Sequence, residues 1–270
     1  MKTQWCVRLQ YMALAGVVLI GLITSAYATS EVTELAQAQN PTLPIIINQP
    51  GLYRLISNIT AQGNAIEIAS NDVTLDLNGF SIHAGGAGVI TITPPPGPRG
   101  SIVVVNGTIF AQAGAIVLGT AIPGVGDCRI ERVLVRGSNG SGIRAFENCI
   151  VSHNTIATSN GGIVIEGLGA VVKDNTLVNN GGPSIQCRSC VVSGNSVRST
   201  FGGNVLGAIV AKEGSLVLGN TVSFSQGVGL ELDATTGYAN NVLSNNTGGD
   251  VSGGVQIGTN LCATNSICPP

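Results

Sequence analysis

Short segments in which apolar and polar residues alternate recur along the chain after residue 50, and glycine-rich turns separate them. Such segments occupy residues 143–146, 163–166, 185–188, 209–212 and 230–233. Successive side chains of a strand point to opposite faces, so this alternation predicts short strands with one buried face. No segment after residue 50 sustains a helical period. The pattern therefore predicts an all-β chain.

Asparagines recur beside these strands at intervals of 21, 20, 25 and 20 residues. Each is followed by a small or polar residue and then by an aliphatic one. The asparagines are Asn154, Asn175, Asn195, Asn220 and Asn240. A repeat of this length is too short for a βαβ unit, which needs about 30 residues. We therefore expect each repeat to form one turn of a coil, with the asparagines stacked in a ladder at a bend between strands.

The predicted fold is a single-stranded right-handed parallel β-helix, a solenoid of about nine coils. Consecutive coils would pair in parallel about 4.8 Å apart, so that each strand hydrogen-bonds to its equivalents above and below. A leucine-rich repeat has a similar length, but its Leu-x-x-Leu-x-Leu signature is missing. The 38 glycines suit many sharp turns, and because only 4% of residues are aromatic, the core must consist of stacked aliphatic side chains.

The N-terminal residues 1–28 have the pattern of a cleaved signal peptide. Lys2 and Arg8 precede a mostly apolar stretch, and an Ala-x-Ala-like sequence ends the segment at Ala28. A retained membrane anchor is the alternative. No later stretch is long enough to span a bilayer, so we expect no membrane association after cleavage and a periplasmic or secreted protein.

Three further parts follow the signal peptide. Residues 29–47 are expected to cap the open N-terminal end of the solenoid, with a short helix over residues 31–38. Residues 48–260 would form the β-helix, and residues 261–270 a C-terminal cap loop. Three consecutive prolines predict a loop that bulges from the solenoid over residues 92–100.

Cysteine usage agrees with export. Cys6 leaves with the signal peptide, and the mature chain keeps six cysteines, an even number that suggests disulfides. Cys128 and Cys149 occupy the same slot of adjacent coils, so we expect their Cα atoms about 5 Å apart. The expected pairs are Cys128 with Cys149, Cys187 with Cys190, and Cys262 with Cys268. Free thiols that fill the core are the alternative.

Charge and motifs exclude several classes of function. A net charge of −2 argues against a nucleic-acid partner, which would require a basic surface. No nucleotide-binding or zinc-binding pattern occurs, and no cofactor is predicted. The two histidines are His83 and His153. His153 stands beside a ladder asparagine with no acidic neighbour in the equivalent slot of the coil below, and we expect it to be a turn residue that faces solvent.

Two segments carry a resemblance to a known family. Residues 51–55 (Gly-Leu-Tyr-Arg-Leu) and 73–82 (Val-Thr-Leu-Asp-Leu-Asn-Gly-Phe-Ser-Ile) resemble the opening coil of bacterial right-handed β-helix repeat proteins of the pectin-lyase-like superfamily. The resemblance spans residues 48–260 and implies a fold and a class of substrate, since most members with known activity act on acidic polysaccharides. The catalytic motifs of its polygalacturonases and alginate epimerases do not occur here, and neither does the calcium site of its pectate lyases.

Charged residues concentrate on outward positions of consecutive strands. One row is predicted to contain Arg144, Val164, Gln186, Val210, Glu231 and Gln256. The next is predicted to contain Phe146, Glu166, Arg188, Lys212 and Asp233. Neighbours in a row lie about 5 Å apart. Four charges on successive coils stand out in a chain of which only 10% is charged, and two cations lie between two carboxylates.

These residues predict an exported protein that binds acidic polysaccharide through Arg144, Glu166, Arg188, Lys212, Glu231 and Asp233. Arg188 and Lys212 would bind uronate carboxylates. Glu166 and Asp233 are three coils apart, about 15 Å, too far to share one calcium ion. No metal site is predicted, and a calcium requirement and any processing of the polysaccharide stay open. The alternative is a non-catalytic structural or cell-surface solenoid, in which the charges merely form exposed ion pairs.

Overall fold

The computed structural model describes residues 31–37, 43–86, 88–92, 101–118, 127–201, 207–263 and 268. Within these ranges the chain forms 29 strands and no helix, and the strands stack in parallel as a right-handed β-helix. The predicted fold class is confirmed, with about ten coils. The predicted signal peptide lies outside the described residues, as do residues 93–100 of the expected proline loop. No helix in the described part has the length and apolarity that a bilayer crossing needs.

Each coil visits three faces in turn. Face 1 is a sheet with one strand from each coil, whereas faces 2 and 3 belong to a second sheet that folds across a bend. The strands of face 1 are β2 (Ile45–Ile47), β5 (Ile66–Ile68), β8 (Gly88–Ile92), β10 (Gly114–Val117), β12 (Ser141–Ala145), β15 (Gly161–Ile165), β18 (Ile185–Arg188), β21 (Gly207–Lys212), β24 (Val228–Leu232) and β27 (Val251–Ser252).

Faces 2 and 3 follow face 1 along each coil. Face 2 contains β1 (Val32–Leu35), β3 (Gly51–Leu55), β6 (Val73–Asp76), β13 (Cys149–Ser152), β16 (Val171–Lys173), β19 (Val191–Ser193), β22 (Leu216–Leu218), β25 (Gly237–Ala239) and β28 (Val255–Gln256). Face 3 contains β4 (Ile59–Ala61), β7 (Ser81–Ala84), β14 (Thr155–Ala157), β17 (Thr176–Val178), β20 (Ser196–Arg198), β23 (Thr221–Ser223), β26 (Val242–Ser244) and β29 (Leu261–Cys262). Two long strands, β9 (Ile102–Ala111) and β11 (Cys128–Arg136), run through both faces.

Inward aliphatic side chains stack into one continuous core. On face 1, Ile143, Ile163 and Ile185 pair in register on successive coils, and each is fully buried. Ile165 is 3% exposed and pairs with the buried Ala145, so its predicted inward orientation is confirmed. The alternation of buried and outward positions therefore decides which side chains the solenoid presents to solvent.

A ladder of buried asparagine side chains joins the coils at the bend between faces 2 and 3. The Oδ1 atom of Asn175 accepts hydrogen bonds from the backbone nitrogen of Asn154 at 2.9 Å and from its Nδ2 at 3.0 Å. Nδ2 of Asn175 in turn donates to the carbonyl oxygen of Val151 at 2.9 Å. The ladder comprises Asn154, Asn175, Asn195, Asn220, Asn241 and Asn260. These bonds satisfy backbone groups that the bend would otherwise leave buried and unpaired.

The assignment of Asn240 to this ladder is wrong by one residue. Asn241 accepts the bond from Asn220 at 2.9 Å, whereas Asn240 takes a left-handed backbone with φ of 59°. His153 and Asp174 occupy that same left-handed position one residue before their ladder asparagines. Two adjacent asparagines suit both positions, so the sequence pattern did not separate them.

The predicted helix over residues 31–38 is wrong where the structure describes it. Strand β1 pairs in parallel with β3, with Val32 opposite Leu52 and Leu35 opposite Leu55. Strand β2 likewise pairs with β5. A strand completes the hydrogen bonds of the first coil's exposed edge, which a helix laid across the end would leave unpaired. The segment before residue 48 therefore supplies strands to the solenoid.

The six described cysteines form the three predicted disulfides. The Cα atoms are 4.4 Å apart for Cys128–Cys149, 6.2 Å for Cys187–Cys190 and 5.3 Å for Cys262–Cys268. The first pair joins equivalent positions of β11 and β13. The second closes the turn between β18 and β19, and the third ties the C-terminal segment to β29. Disulfides of this kind persist in oxidising compartments.

Candidate functional site

The predicted charged residues lie on face 1 or in the turn that directly follows it. We name this set the face-1 stripe; its members are Arg144, Glu166, Arg188, Lys212, Glu231 and Asp233. Arg188 ends β18 and pairs in register with Lys212, which ends β21. Arg144 and Glu231 belong to the neighbouring outward row, which runs through Val164, Gln186 and Val210. The row of Arg144 is therefore present as predicted up to Glu231. In the row of Phe146 the pairing of Arg188 with Lys212 is confirmed, but Phe146 itself, predicted to point outward, is buried, with 7% of its surface exposed.

The assignment of Gln256 to the end of the Arg144 row is wrong. Glu231 pairs with Ser252 on β27, whereas Gln256 lies on face 2 opposite Tyr238. Face 1 recurs at Val251, which pairs with Leu230, so the final face-1 strand comes earlier than the alternation at residues 255–257 suggested. The two-residue strand β27 is too short to show an alternating pattern in the sequence.

A surface groove of about 680 Å³ runs beside the stripe; we name it the face-1 groove. It crosses the coils that contain β15, β18 and β21. The residues that line the groove include Phe146, Glu166, Gln186, Arg188, Val210 and Lys212. Polar groups on a partly apolar floor, repeated at the coil spacing, suit an elongated polar ligand.

Each cation of the stripe already has a carboxylate partner. The ion pairs are Arg144–Glu166, Arg188–Glu213 (Nη1 to Oε1, 3.3 Å) and Lys212–Glu231 (Nζ to Oε1, 3.5 Å). Nη2 of Arg188 also donates to the carbonyl oxygen of Glu166 at 3.2 Å. The side chains of the three cations are 43–52% exposed, so these pairs contribute little to stability. The sequence suggested that cations and carboxylates pair along a single row. In the structure, Arg144–Glu166 and Lys212–Glu231 each join one row to the other.

Asp233 acts within the turn that follows β24. Its Oδ2 accepts a hydrogen bond from the backbone nitrogen of Glu213 at 2.6 Å, and its Oδ1 accepts from the hydroxyls of Thr235 and Thr236 at 2.8 and 2.9 Å. The bond from Glu213, together with those from the threonines, lowers the pKa of Asp233 to about 2. Both oxygens of the carboxylate are therefore engaged in hydrogen bonds that stabilise the turn.

A second groove, of about 390 Å³, lies at the outer edge of face 3; we name it the aromatic groove. Its outward row contains Thr60, His83, Phe110 and Arg136, which pair in register on successive coils. The rings of His83 and Phe110 stack with centroids 4.3 Å apart and planes inclined by 17°. Gln62 and Gln112 lie in the following turns and complete the polar lining.

The guanidinium of Arg136 distinguishes this groove from the face-1 groove. Among the described arginines and lysines, six pair with carboxylates and Arg198 lies over the ring of Phe224 at 5.3 Å. Within the same ranges, Arg136 and Lys173 have no carboxylate within 4 Å. Arg136 is exposed and borders the groove, so its donors are available to an anion.

His153 has acidic neighbours that were missed in the sequence. Its Nδ1 lies 3.9 Å from Oε1 of Glu131, and its Nε2 lies 3.8 Å from Oδ2 of Asp174. Asp174 precedes Asn175 as His153 precedes Asn154, so the two occupy equivalent positions of adjacent coils. The imidazole is 53% exposed, as expected for a turn residue. In the described ranges, no group of three or more histidine, cysteine, aspartate or glutamate side chains is placed to hold a metal ion.

The aromatic groove was not predicted from the sequence. His83, Phe110 and Arg136 are 27 and 26 residues apart, whereas the recognised repeat is nearer 21. A search for repeats that allowed coils of 26 or 27 residues would have aligned these three residues, since each lies near the end of a segment in which apolar and polar residues alternate. Searches with family models and against curated proteins found no match to this chain.

Proposed function

We propose that the protein is exported and binds acidic polysaccharide along the face-1 groove. The observation that carries the proposal is the groove itself, about 680 Å³ in volume and bordered by the exposed head groups of Arg188 and Lys212. The resemblance of residues 51–55 and 73–82 to the pectin-lyase-like superfamily supports the same class of ligand. The three disulfides support an oxidising location outside the cytoplasm.

The ion pairs of the stripe are compatible with binding. Exposed pairs are weak, and a polyanion that presents several carboxylates at once competes with single glutamates. A guanidinium has five N–H donors, and Arg188 uses one toward Glu213 and one toward the Glu166 carbonyl. The remaining donors of Arg188, with the ammonium of Lys212 on the next coil, provide two positive contacts about 5 Å apart.

A structural solenoid without a glycan ligand is the second candidate. The observation in its favour is that the stripe neutralises itself, since each of its cations has a carboxylate and Asp233 is bound within its turn. In this alternative the ion pairs align neighbouring coils and the surface has no ligand. The two candidates differ in a single measurable property, the affinity for an acidic glycan.

Binding measurements on polygalacturonate and alginate test the proposal. For the mature chain we expect binding that weakens as salt rises, and Arg188→Ala or Lys212→Ala should each lower affinity at least threefold while the melting temperature stays unchanged. Lys173→Ala is the matched control, because it removes a positive charge from face 2, outside the groove. Eliminase assays with and without calcium would show whether the glycan is also cleaved.

Two results would contradict the proposal. Binding that survives both substitutions would show that the face-1 groove is not the site. Absence of binding to either polysaccharide would favour the structural solenoid.

A further inference from the structure

We propose that the aromatic groove is a second binding site, built for a single hexuronate ring. In this site the carbohydrate ring packs against Phe110, its carboxylate is bound by Arg136, and its hydroxyls are bound by Gln62 and Gln112. The inference rests on the proposed function in taking the ligand to be an acidic sugar. It assigns that ligand to a different face of the solenoid and to different residues.

The exposed guanidinium of Arg136 is the anchor of the site. Within the described residues it has no carboxylate partner, in contrast to every cation of the face-1 stripe. An exposed arginine presents its fork of donors in a geometry that matches a carboxylate bidentately. No ion pair of the fold must break when an anion binds here, so binding costs less than it does at Arg188.

The stacked rings supply the apolar surface. Phe110 is 38% exposed, although apolar side chains of its size are usually buried, and His83 packs against it in the same row. The stacking holds the two rings in a fixed orientation on the edge of the groove. The C–H groups of a pyranose ring form a flat apolar surface that fits an aromatic ring of this kind.

The remaining lining is uncharged and combines polar side chains with the small residues Ala61, Ala84 and Ala111. Gln62, Gln112 and Thr60 offer donors and acceptors that match hydroxyl groups. Gly85 lies in the equivalent turn of the coil between those of Gln62 and Gln112. A Cβ added at Gly85 would lie 3.2 Å from Oε1 of Gln112 and 2.8 Å from the carbonyl oxygen of Gln62. A larger residue would therefore crowd this end of the groove. Its volume of about 390 Å³ lies within the range of small-molecule sites.

Two other surface features do not support a binding site. The apolar row Ile150, Val171, Val191 and Leu216 on face 2 is partly exposed, but nothing in the structure indicates what would cover it. Glu131 and His153 lie close together, but they border neither the face-1 groove nor the aromatic groove.

Calorimetric titration of the mature chain with trigalacturonate tests the inference, with the neutral trisaccharide of galactose as the ligand control. We expect two binding sites in the parent. Arg136→Gln and Phe110→Leu should each remove one of them or weaken it at least tenfold. Arg198→Gln is the matched control, because it removes the same charge from the same outward row outside the groove, and it should change affinity less than twofold. All variants should melt at the parent's temperature.

The double variant Arg188→Ala/Lys212→Ala separates this inference from the proposed function. If it loses one site while Arg136→Gln loses the other, both stand. If Arg136→Gln and Phe110→Leu bind like the parent, the aromatic groove is not a site, whatever the double variant does. If only the double variant binds like the parent, the aromatic groove stands and the face-1 groove does not. Equal affinity for the neutral trisaccharide would overturn the role of Arg136.

Discussion

The face-1 groove and the aromatic groove lie on the same solenoid but on different kinds of coil. The coils beneath the face-1 groove have ladder asparagines 20 to 25 residues apart, which bind each coil to the next at the bend. The coils beneath the aromatic groove are longer, and the bend positions there are Gly107 and Val133 within the continuous strands β9 and β11.

This difference affects the chemistry on the surface. Regular coils place residues of opposite charge side by side, and in the face-1 stripe they neutralise one another. The irregular coils bring His83, Phe110 and Arg136 into one row, and none of these contributes a carboxylate to pair with Arg136. The two grooves therefore differ in that the cations beside the face-1 groove are paired with carboxylates, whereas the guanidinium of Arg136 is available to a ligand.

The largest expected effect comes from Ile165→Asp. Ile165 is 3% exposed and lies beneath the face-1 groove, so an unpaired carboxylate there should destabilise the fold by about 3 kcal/mol or more. Because coils contact only their neighbours, hydrogen exchange should accelerate first around β15, while β7 and β9 under the aromatic groove stay protected. Ile165→Val is the control and should cost about 1 kcal/mol. Uniform loss of protection would show that both grooves belong to one cooperative unit.

Removal of the Cys128–Cys149 disulfide should have the next largest effect. The disulfide closes a loop with a sequence separation of 21, so Cys128→Ala/Cys149→Ala should cost about 3 kcal/mol in urea unfolding. Cys128 is the first residue of β11, the strand that ends at Arg136 in the aromatic groove. Cys187→Ala/Cys190→Ala opens a loop of only 3 residues beside the face-1 groove, and the chain-entropy loss should be smaller. Equal losses for the two double variants would contradict this ranking.

Asn195→Ala tests the ladder that only the regular coils possess. Oδ1 of Asn195 accepts bonds from the backbone nitrogen and the Nδ2 of Asn175, both at 3.0 Å. Its loss leaves buried donors unpaired and should cost about 2 kcal/mol in chemical denaturation. Asn139→Ala, at an exposed turn, is the control and should change stability by less than about 0.5 kcal/mol. A small effect of Asn195→Ala would mean that strand pairing alone maintains the bend.

The smallest effect concerns Asp233 and pH. Folding lowers its pKa from 3.8 to about 2, so the ionised carboxylate stabilises the native turn above pH 3.8 and this contribution fades as pH falls toward 2. The melting temperatures of the parent and of Asp233→Asn should therefore differ slightly at neutral pH and converge near pH 2. Asp233→Asn should also leave polygalacturonate affinity within twofold of the parent, since the carboxylate is engaged in the turn. A difference that persists at pH 2 would contradict the assigned role.

Several predictions from the repeat were accurate where position followed from local alternation, although the outward placement of Phe146, which is 7% exposed, was wrong. The inward orientation of Ile165 and the register of Arg188 with Lys212 required only a period of two within a strand and the repeat between coils. The pairing of Cys128 with Cys149 followed from the same offset. The ladder member Asn241 and the final strand β27 were misplaced because neighbouring residues suited the same role and because a two-residue strand has no readable period.

The sequence by itself determined that this protein is an all-β solenoid, because alternating strands that recur about every 21 residues bury their apolar side chains when each repeat forms one coil. It also determined which strand positions of the regular coils alternate inward and outward, although Phe146 and Val210, at predicted outward positions, are buried. The tertiary structure alone decided which carboxylate each cation meets and which long coils align His83, Phe110 and Arg136. These outcomes depend on turn geometry and on register between coils of unequal length. Both arise from contacts between residues far apart in the chain, which a local pattern does not contain.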